Sequence, residues 1–238
     1  MIGKLYGIGV GPGDTQLITL KAIETINKLD VIYTPQAELT TPSLAMKIAQ
    51  SYIPEGMRVE VCHFPMVKHI ADKEPQWDSI AQQIGHEMDQ GHQVGFLTLG
   101  DPSTFSTYSY IMMRLKDNYP IETIAGITSF AQIAARLNHP LVLDTESFCV
   151  IPATTTNDMI KMALDHFEGV VIMKIKNHLD RVLPLLKDRD LLEKAIIVSN
   201  VSMNNEIIYD QLTSETSLEK LSYFSTLIVT SSLTKTIK

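Results

Sequence analysis

The sequence predicts an α/β protein of two domains with mostly parallel sheets. Three observations carry that reading. Short strand-like runs alternate along the chain with runs of helical spacing, the signature of βα units. Ten strand-like runs are present, more than one sheet ordinarily holds. A helix stop at Leu137-Asn138-His139-Pro140 separates the first five runs from the last five, and the boundary expected near Pro140 to Thr145 gives domains 1–142 and 143–238.

Taken in order, Leu5 to Val10 reads as a strand and Leu17 to Asn27 as a helix. Val31 to Tyr33 is a short strand stopped by Pro35. Ser43 opens a helix through Ser51 that ends before Pro54. Arg58 to Phe64 has strand character in Val59, Val61 and Phe64, whereas Ile80, Ile84 and Met88 recur at helical spacing within Trp77 to Gln90. Val94 to Leu99 is an apolar run suited to a buried strand, followed by a helix over Tyr108 to Leu115, a strand over Ile121 to Ile124 and a helix over Ser129 to Leu137. In the second half, Phe148 to Ile151, Val170 to Ile175, Ala195 to Val201, Glu206 to Tyr209 and Thr226 to Val229 read as strands. Helices are expected over Asn157 to His166, Leu179 to Leu186 and Ser217 to Leu221.

The chain has 238 residues, is 45% hydrophobic and 20% charged, and carries a net charge of −7, a balance that builds an ordinary globular core. An acidic surface argues against a nucleic-acid partner, and the longest apolar runs, such as Val170-Val171-Ile172-Met173, are far too short to span a bilayer. The opening residues lack the apolar core and cleavage site of a signal peptide. Cys62 and Cys149 are the only cysteines and read as reduced thiols of a cytoplasmic protein. The seven histidines have no metal-type spacing, so no metal is expected. They read as ordinary surface or core residues, and Met112, Met113, Met159 and Met162 as core filler.

Three glycine-bearing loops follow strand-like runs, where open α/β sheets bind ligands. The first is Gly7-Ile8-Gly9-Val10-Gly11-Pro12-Gly13-Asp14. Its glycines fall on every second residue, which fails the Gly-x-Gly-x-x-Gly spacing of a dinucleotide fold, and no Gly-Lys-Ser/Thr follows. Its plain structural role is a βα turn capped by Asp14 or Thr15. The second loop, Leu99-Gly100-Asp101-Pro102-Ser103-Thr104, stops an apolar strand abruptly. There glycine permits close approach to the backbone and proline fixes the turn. The third, Ala125-Gly126-Ile127-Thr128-Ser129, opens a strong helix whose free N–H groups suit a ligand.

The three loops in this order resemble the tetrapyrrole methylase family. The family's Gly-x-Gly-Pro-Gly-Asp loop is matched at Gly9 to Asp14, its following helix at Leu17-Ile18-Thr19-Leu20-Lys21-Ala22, and its Gly-Asp-Pro loop at Gly100-Asp101-Pro102. Its Pro-Gly-Ile-Thr-Ser/Ala loop is matched at Gly126-Ile127-Thr128-Ser129, with Ala125 in place of the proline. Leu97 to Tyr108 and Ser129 to Leu137 are similar to the branch that methylates C20 of precorrin-2 or cobalt-factor II.

The resemblance implies two α/β domains with S-adenosylmethionine folded into the cleft between them, and S-adenosylhomocysteine as product. It implies cofactor contacts from Pro35, Leu99, Gly100, Asp101, Thr104, Thr128, Ser129, Met173, Asn200, Val201 and Tyr223. The first loop, Gly9, Gly11, Pro12, Gly13 and Asp14, is assigned to a tetrapyrrole substrate. The substrate's carboxylates call for basic or N–H-rich groups, with Lys4, Arg58, Lys68, Arg114 and Arg136 as candidates. A homodimer is implied, with neither nucleic acid nor membrane as partner. The competing expectations are a tetrapyrrole methylase acting at another ring carbon, a diphthine or ribosomal-RNA methylase of the same fold, and a non-catalytic cofactor or tetrapyrrole carrier.

Overall fold

The computed structural model describes residues 1–36, 43–64, 73–213, 216 and 221–230. Contacts divide the chain into two units, Met1–Thr128 and Ser129–Lys238. The division falls upstream of the expected 142/143 boundary. The cause is the helix Ser129–Leu137, which buries Ile133, with Phe130 and Leu137 beside it, against Val171, Ile196, Val198 and Ile228 of the second unit.

The first unit is a five-stranded sheet in the order β3-β2-β4-β1-β5. Its strands are β1 (Lys4–Gly9), β2 (Val31–Gln36), β3 (Arg58–His63), β4 (Gln93–Thr98) and β5 (Ile121–Ile124). Every pairing is parallel, as the strand–helix alternation predicts. The helices α1 (Leu20–Ile26) and α2 (Leu44–Ala49) share a core with Ile8, Val10, Ile32 and Leu97. On the opposite face, α3 (Glu74–Asp89) and α4 (Tyr108–Leu115) close over Leu5, Val31, Tyr33, Val94 and Phe96.

The expected helix over Leu17–Asn27 is shorter in the structure. Thr15–Leu17 forms one 3-10 turn, Ile18 is extended, and α1 starts only after Thr19, whose hydroxyl accepts from the Ala22 N–H at 3.2 Å. A threonine N-cap restarts the helix where hydrophobic spacing alone runs through. Cys62 and Cys149 are free thiols, and burial pushes the Cys62 thiol up to about 12, which keeps it protonated.

The second unit holds α5 (Ser129–Leu137), α6 (Asn157–His166) and α7 (Leu179–Lys187). Its sheet comprises β6 (Phe148–Pro152), β7 (Gly169–Met173), β8 (Ala195–Ser199), β9 (Ile207–Tyr209) and β10 (Ser225–Thr230), in the order β6-β7-β10-β8-β9. Only β6 and β7 pair in parallel; β7/β10, β10/β8 and β8/β9 are antiparallel, where mostly parallel pairing is expected from sequence. The helical crossovers still do what was anticipated: β6, β7 and β8 run the same way. The difference arises because β10 inserts between β7 and β8 against their direction, and β9 returns on β8 after a connection too short for a crossover. Residues 217–220 of the helix expected over Ser217–Leu221 lie outside the described residues. Among the described residues, no helix is long and apolar enough to cross a membrane.

Candidate functional site

Because the first sheet is parallel, the loops after β1, β4 and β5 leave from one edge. They are bonded together there. The Gly11 N–H donates to the Gly100 carbonyl at 3.3 Å, the Gly100 N–H returns to the Gly11 carbonyl at 2.8 Å, and the Val10 N–H donates to the Thr98 carbonyl at 3.0 Å. A Cβ on Gly9 would sit 2.7 Å from both the Gly100 carbonyl oxygen and the Gly126 backbone, and one on Gly126 would collide with the same oxygen. The three loops therefore meet through glycines at backbone contact, an approach no other residue permits.

Asp101 completes the junction. Its Oδ2 accepts from the Gly126 N–H at 3.0 Å, and its Oδ1 from the Ser103 N–H at 2.9 Å. The carboxylate thus ties the second loop to the third. Pro102 is buried, Leu99 and Thr104 are half-buried, and Ser106 anchors the far end of the loop through Thr98 Oγ1 at 2.7 Å. Gly100 has φ +69°, and a Cβ built on it meets only the Ile127 carbonyl oxygen, at 3.9 Å. The backbone is left-handed and open on that side, so a ligand can close directly on it.

Pro35 lies where neighbouring strands part. β2 stays paired with β3 through Gln36, whereas its pairing with β4 ends at Tyr33↔Phe96. The connection after β2 leads to one edge strand of the sheet and that after β4 to the other. Such a reversal marks the ligand crevice of an open α/β sheet. In the first loop, Gly11 and Pro12 are buried, Gly13 is half-buried and Asp14 is exposed. Asp14 Oδ1 caps the 3-10 turn by accepting from the Gln16 N–H at 2.9 Å. Thr128 ends the unit, half-buried.

The basic candidates behave differently. Lys4 and Arg58 start β1 and β3, so they stand at the edge opposite the loops. Lys4 pairs with Glu122 at 2.6 Å and Arg58 with Glu87. Arg114 pairs with Asp78 at 2.5 Å and lies over the Trp77 ring, and Arg136 of the second unit pairs with Glu206 at 3.3 Å. Lys68 lies outside the described residues. A groove of about 440 Å³ on the α3/α4 face, lined by Asp78, Gln82, His86, Asp89, Arg114 and Tyr119, includes none of the loop residues. No group of three His, Cys, Asp or Glu side chains among the described residues is placed to hold a metal.

In the second unit the remaining candidates also share an edge. Met173 pairs with Thr226, and Ser199 with Ser225, so the ends of β7 and β8 lie beside the start of β10. Both strands stop earlier than their apolar runs suggest, at left-handed residues: Lys174 with φ +59° and Asn200 with φ +54°. Asn200 is buried and fully engaged. Its N–H donates to the Phe224 carbonyl at 3.0 Å, its Nδ2 to the Asn205 carbonyl at 3.2 Å, and its Oδ1 accepts from the Ser222 hydroxyl at 2.6 Å. Ser129 Oγ lies 3.2 Å from Thr226 Oγ1, Val201 is buried beneath α5, and Tyr223 is exposed with its ring edge-on to Phe224. One feature escapes sequence reasoning. Arg181 of α7 donates to the Ala153 carbonyl, to the Thr155 carbonyl at 2.9 Å and to Asn157 Oδ1 at 2.6 Å, fixing the loop after β6, where the Ala153 N–H reaches the Met173 carbonyl at 2.7 Å.

The sequence model of the Tetrapyrrole (Corrin/Porphyrin) Methylases matches residues 4–216. The chain belongs to that family. It is 37% identical over 229 residues to the cobalt-precorrin-2 C(20)-methyltransferase of Salmonella typhimurium, covering 96% of this chain and 97% of that one. A probable cobalt-precorrin-2 C(20)-methyltransferase of Methanocaldococcus jannaschii is 36% identical over 80% of each chain. Among solved structures, the uroporphyrin-III C-methyl transferase from Thermus thermophilus complexed with S-adenyl homocysteine superposes with a TM-score of 0.71 at 19% identity, covering 96% of this chain and 98% of that one. The two α/β units are thus those of a tetrapyrrole methylase, and the three bonded loops all lie within the matched residues.

Proposed function

We propose that this tetrapyrrole methylase is an S-adenosylmethionine-dependent C-methyltransferase that methylates C20 of precorrin-2 or cobalt-factor II in corrin biosynthesis. The observation that carries the reading is the 37% identity over nearly the full length of both chains to a C(20)-methyltransferase. The loop geometry supports it.

The proposed cofactor residues are Pro35, Leu99, Gly100, Asp101, Thr104 and Thr128 in the first unit, and Ser129, Met173, Asn200, Val201 and Tyr223 in the second. The chemistry of the first set fits such a ligand: Gly100 offers open backbone at φ +69° beside the hydroxyl-bearing turn to Thr104. When bound, S-adenosylmethionine supplies a methyl group on a cationic sulfur for in-line displacement by the nucleophilic ring carbon. The chain has to hold donor and acceptor in line at about 3 Å and keep water out. Asp101 serves that end by locking the second loop onto Gly126. The acceptor is assigned to the first loop, Gly9, Gly11, Pro12, Gly13 and Asp14. With the Gly11 N–H already donating to Gly100, the part of that loop that meets a carboxylate narrows to the residues after Pro12. The same reading makes the protein a cytoplasmic homodimer acting on a small molecule, with no nucleic-acid or membrane partner.

Anaerobic incubation with S-adenosylmethionine and precorrin-2, read by mass spectrometry, tests the proposal. The macrocycle gains one methyl group as S-adenosylhomocysteine accumulates in equal amount. Binding of both ligands with no mass gain leaves a carrier and overturns the reading.

A further inference from the structure

We infer that His63 binds the acceptor, its imidazole Nδ1 donating a hydrogen bond to one of the tetrapyrrole carboxylates; the inference rests on the substrate class proposed above. Three observations place it there. His63 is the last residue of β3, and the sheet is parallel, so it stands on the same edge as the three glycine loops. β3 is separated from β4 only by β2, and at ordinary strand spacing His63 lies roughly 10 Å across the edge from the Gly100 loop. A tetrapyrrole with its peripheral carboxylates spans that interval.

The side chain itself is unusual. Its neighbours Cys62 and Phe64 point into the core shared with α3 and α4, so by strand alternation His63 points to the other face. The backbone is held there by the Phe64 N–H, which donates to the Gln36 carbonyl at 2.9 Å. The Nδ1 atom is buried and has no hydrogen-bond partner, the one such side-chain atom recorded among the described residues. A buried polar nitrogen without a partner is costly, and native proteins seldom leave one standing without a ligand or water to meet it. The cations offered by the sequence do not fill this need. Lys4 and Arg58 are at the opposite edge of the sheet, and Lys4, Arg58 and Arg114 are each held by a carboxylate. A polycarboxylate lying along the loop edge therefore meets in His63 a desolvated nitrogen with a hydrogen bond still to make.

The test compares His63→Leu, which removes both ring nitrogens, with His63→Asn, which returns an amide nitrogen near the Nδ1 position. Precorrin-2 and S-adenosylmethionine binding are titrated separately by calorimetry, with methyl transfer and thermal stability followed alongside. His63→Leu is expected to weaken precorrin-2 binding about tenfold or more, as for one lost hydrogen bond to a charged group. It leaves S-adenosylmethionine affinity unchanged and the melting temperature equal or higher, because an unpaired buried nitrogen is gone. His63→Asn recovers most of the precorrin-2 affinity. Wild-type precorrin-2 affinity in His63→Leu overturns the inference and leaves the proposed function standing. So does a lowered melting temperature with both ligands weakened alike, which makes His63 a packing residue. A wild-type protein that binds precorrin-2 without methylating it overturns the proposed function, and the His63 comparison still decides the assignment.

Discussion

Asp101→Ala tests whether this carboxylate acts through the loops. The substitution removes two acceptors. The Ser103 N–H is exposed and turns to water, so its loss is worth about 0.5 kcal/mol. The Gly126 N–H is partly buried against Gly9 and Gly100, and loses a hydrogen bond to a charged group, worth roughly 1.5–3 kcal/mol. The variant should therefore unfold in urea with a stability lower by about 2 kcal/mol. If the third loop must be held to shape the cofactor site, the same energy appears as a loss of S-adenosylmethionine affinity of roughly tenfold to a hundredfold. Asp101→Asn keeps one acceptor and should recover part of both effects. Calorimetric titration and urea unfolding on the same samples make the comparison. Wild-type stability with abolished binding would put the carboxylate on the ligand itself and refute the loop-tie, as would an Ala variant indistinguishable from wild type in both.

Gly100→Val forces a branched residue to φ +69°, a strain of about 1–2 kcal/mol, and sets methyl groups on the open side of the loop; S-adenosylmethionine affinity should fall far more than stability. Asp14→Asn preserves the bond to the Gln16 N–H, so stability should hold within roughly 0.5 kcal/mol while the precorrin-2 KM changes; an unchanged KM reduces Asp14 to a cap. Glu122 hydrogen-bonds Lys21 and Lys4, which hold its carboxyl down to about 2. Its contribution is complete above its unfolded value of about 4.3 and is lost as pH falls toward about 2. Glu122→Gln should accordingly flatten the fall in urea midpoint between about pH 5 and about pH 3, and an unaltered slope would show that other carboxylates set it.

The first unit was legible because its physics is local. Strands β1 and β4 are apolar runs closed by glycine, and each crossover contains a helix with its own periodicity, although β2 runs on through Pro35 to Gln36. Leu97-Thr98-Leu99-Gly100-Asp101-Pro102 announces both a strand end and a ligand loop within six residues. The second sheet was not legible in the same way, because the direction of β10 depends on where it inserts and no property of Ser225–Thr230 encodes that. Strand ends at Lys174 and Asn200 were hidden too: asparagine tolerates the left-handed region, whereas lysine at φ +59° carries no such mark. The division at Thr128 turned on α5, whose apolar face fits either neighbour in sequence and packs on Val171 and Ile196. The candidate loops were found from their motifs, but the bond from Asp101 to Gly126 and the Gly9–Gly126 contact join residues far apart in the chain. The orphaned Nδ1 of His63 and the clamp of Arg181 had no pattern to betray them.

The position of the transferred methyl group distinguishes a C20-methyltransferase from every other tetrapyrrole methylase. S-adenosylmethionine carrying a carbon-13 methyl, incubated anaerobically with precorrin-2 and the wild-type protein, gives a product whose NMR spectrum locates the label. A single labelled methyl bonded to C20 of the macrocycle is the expected result. A label at any other ring carbon, or no label despite bound cofactor and substrate, contradicts it.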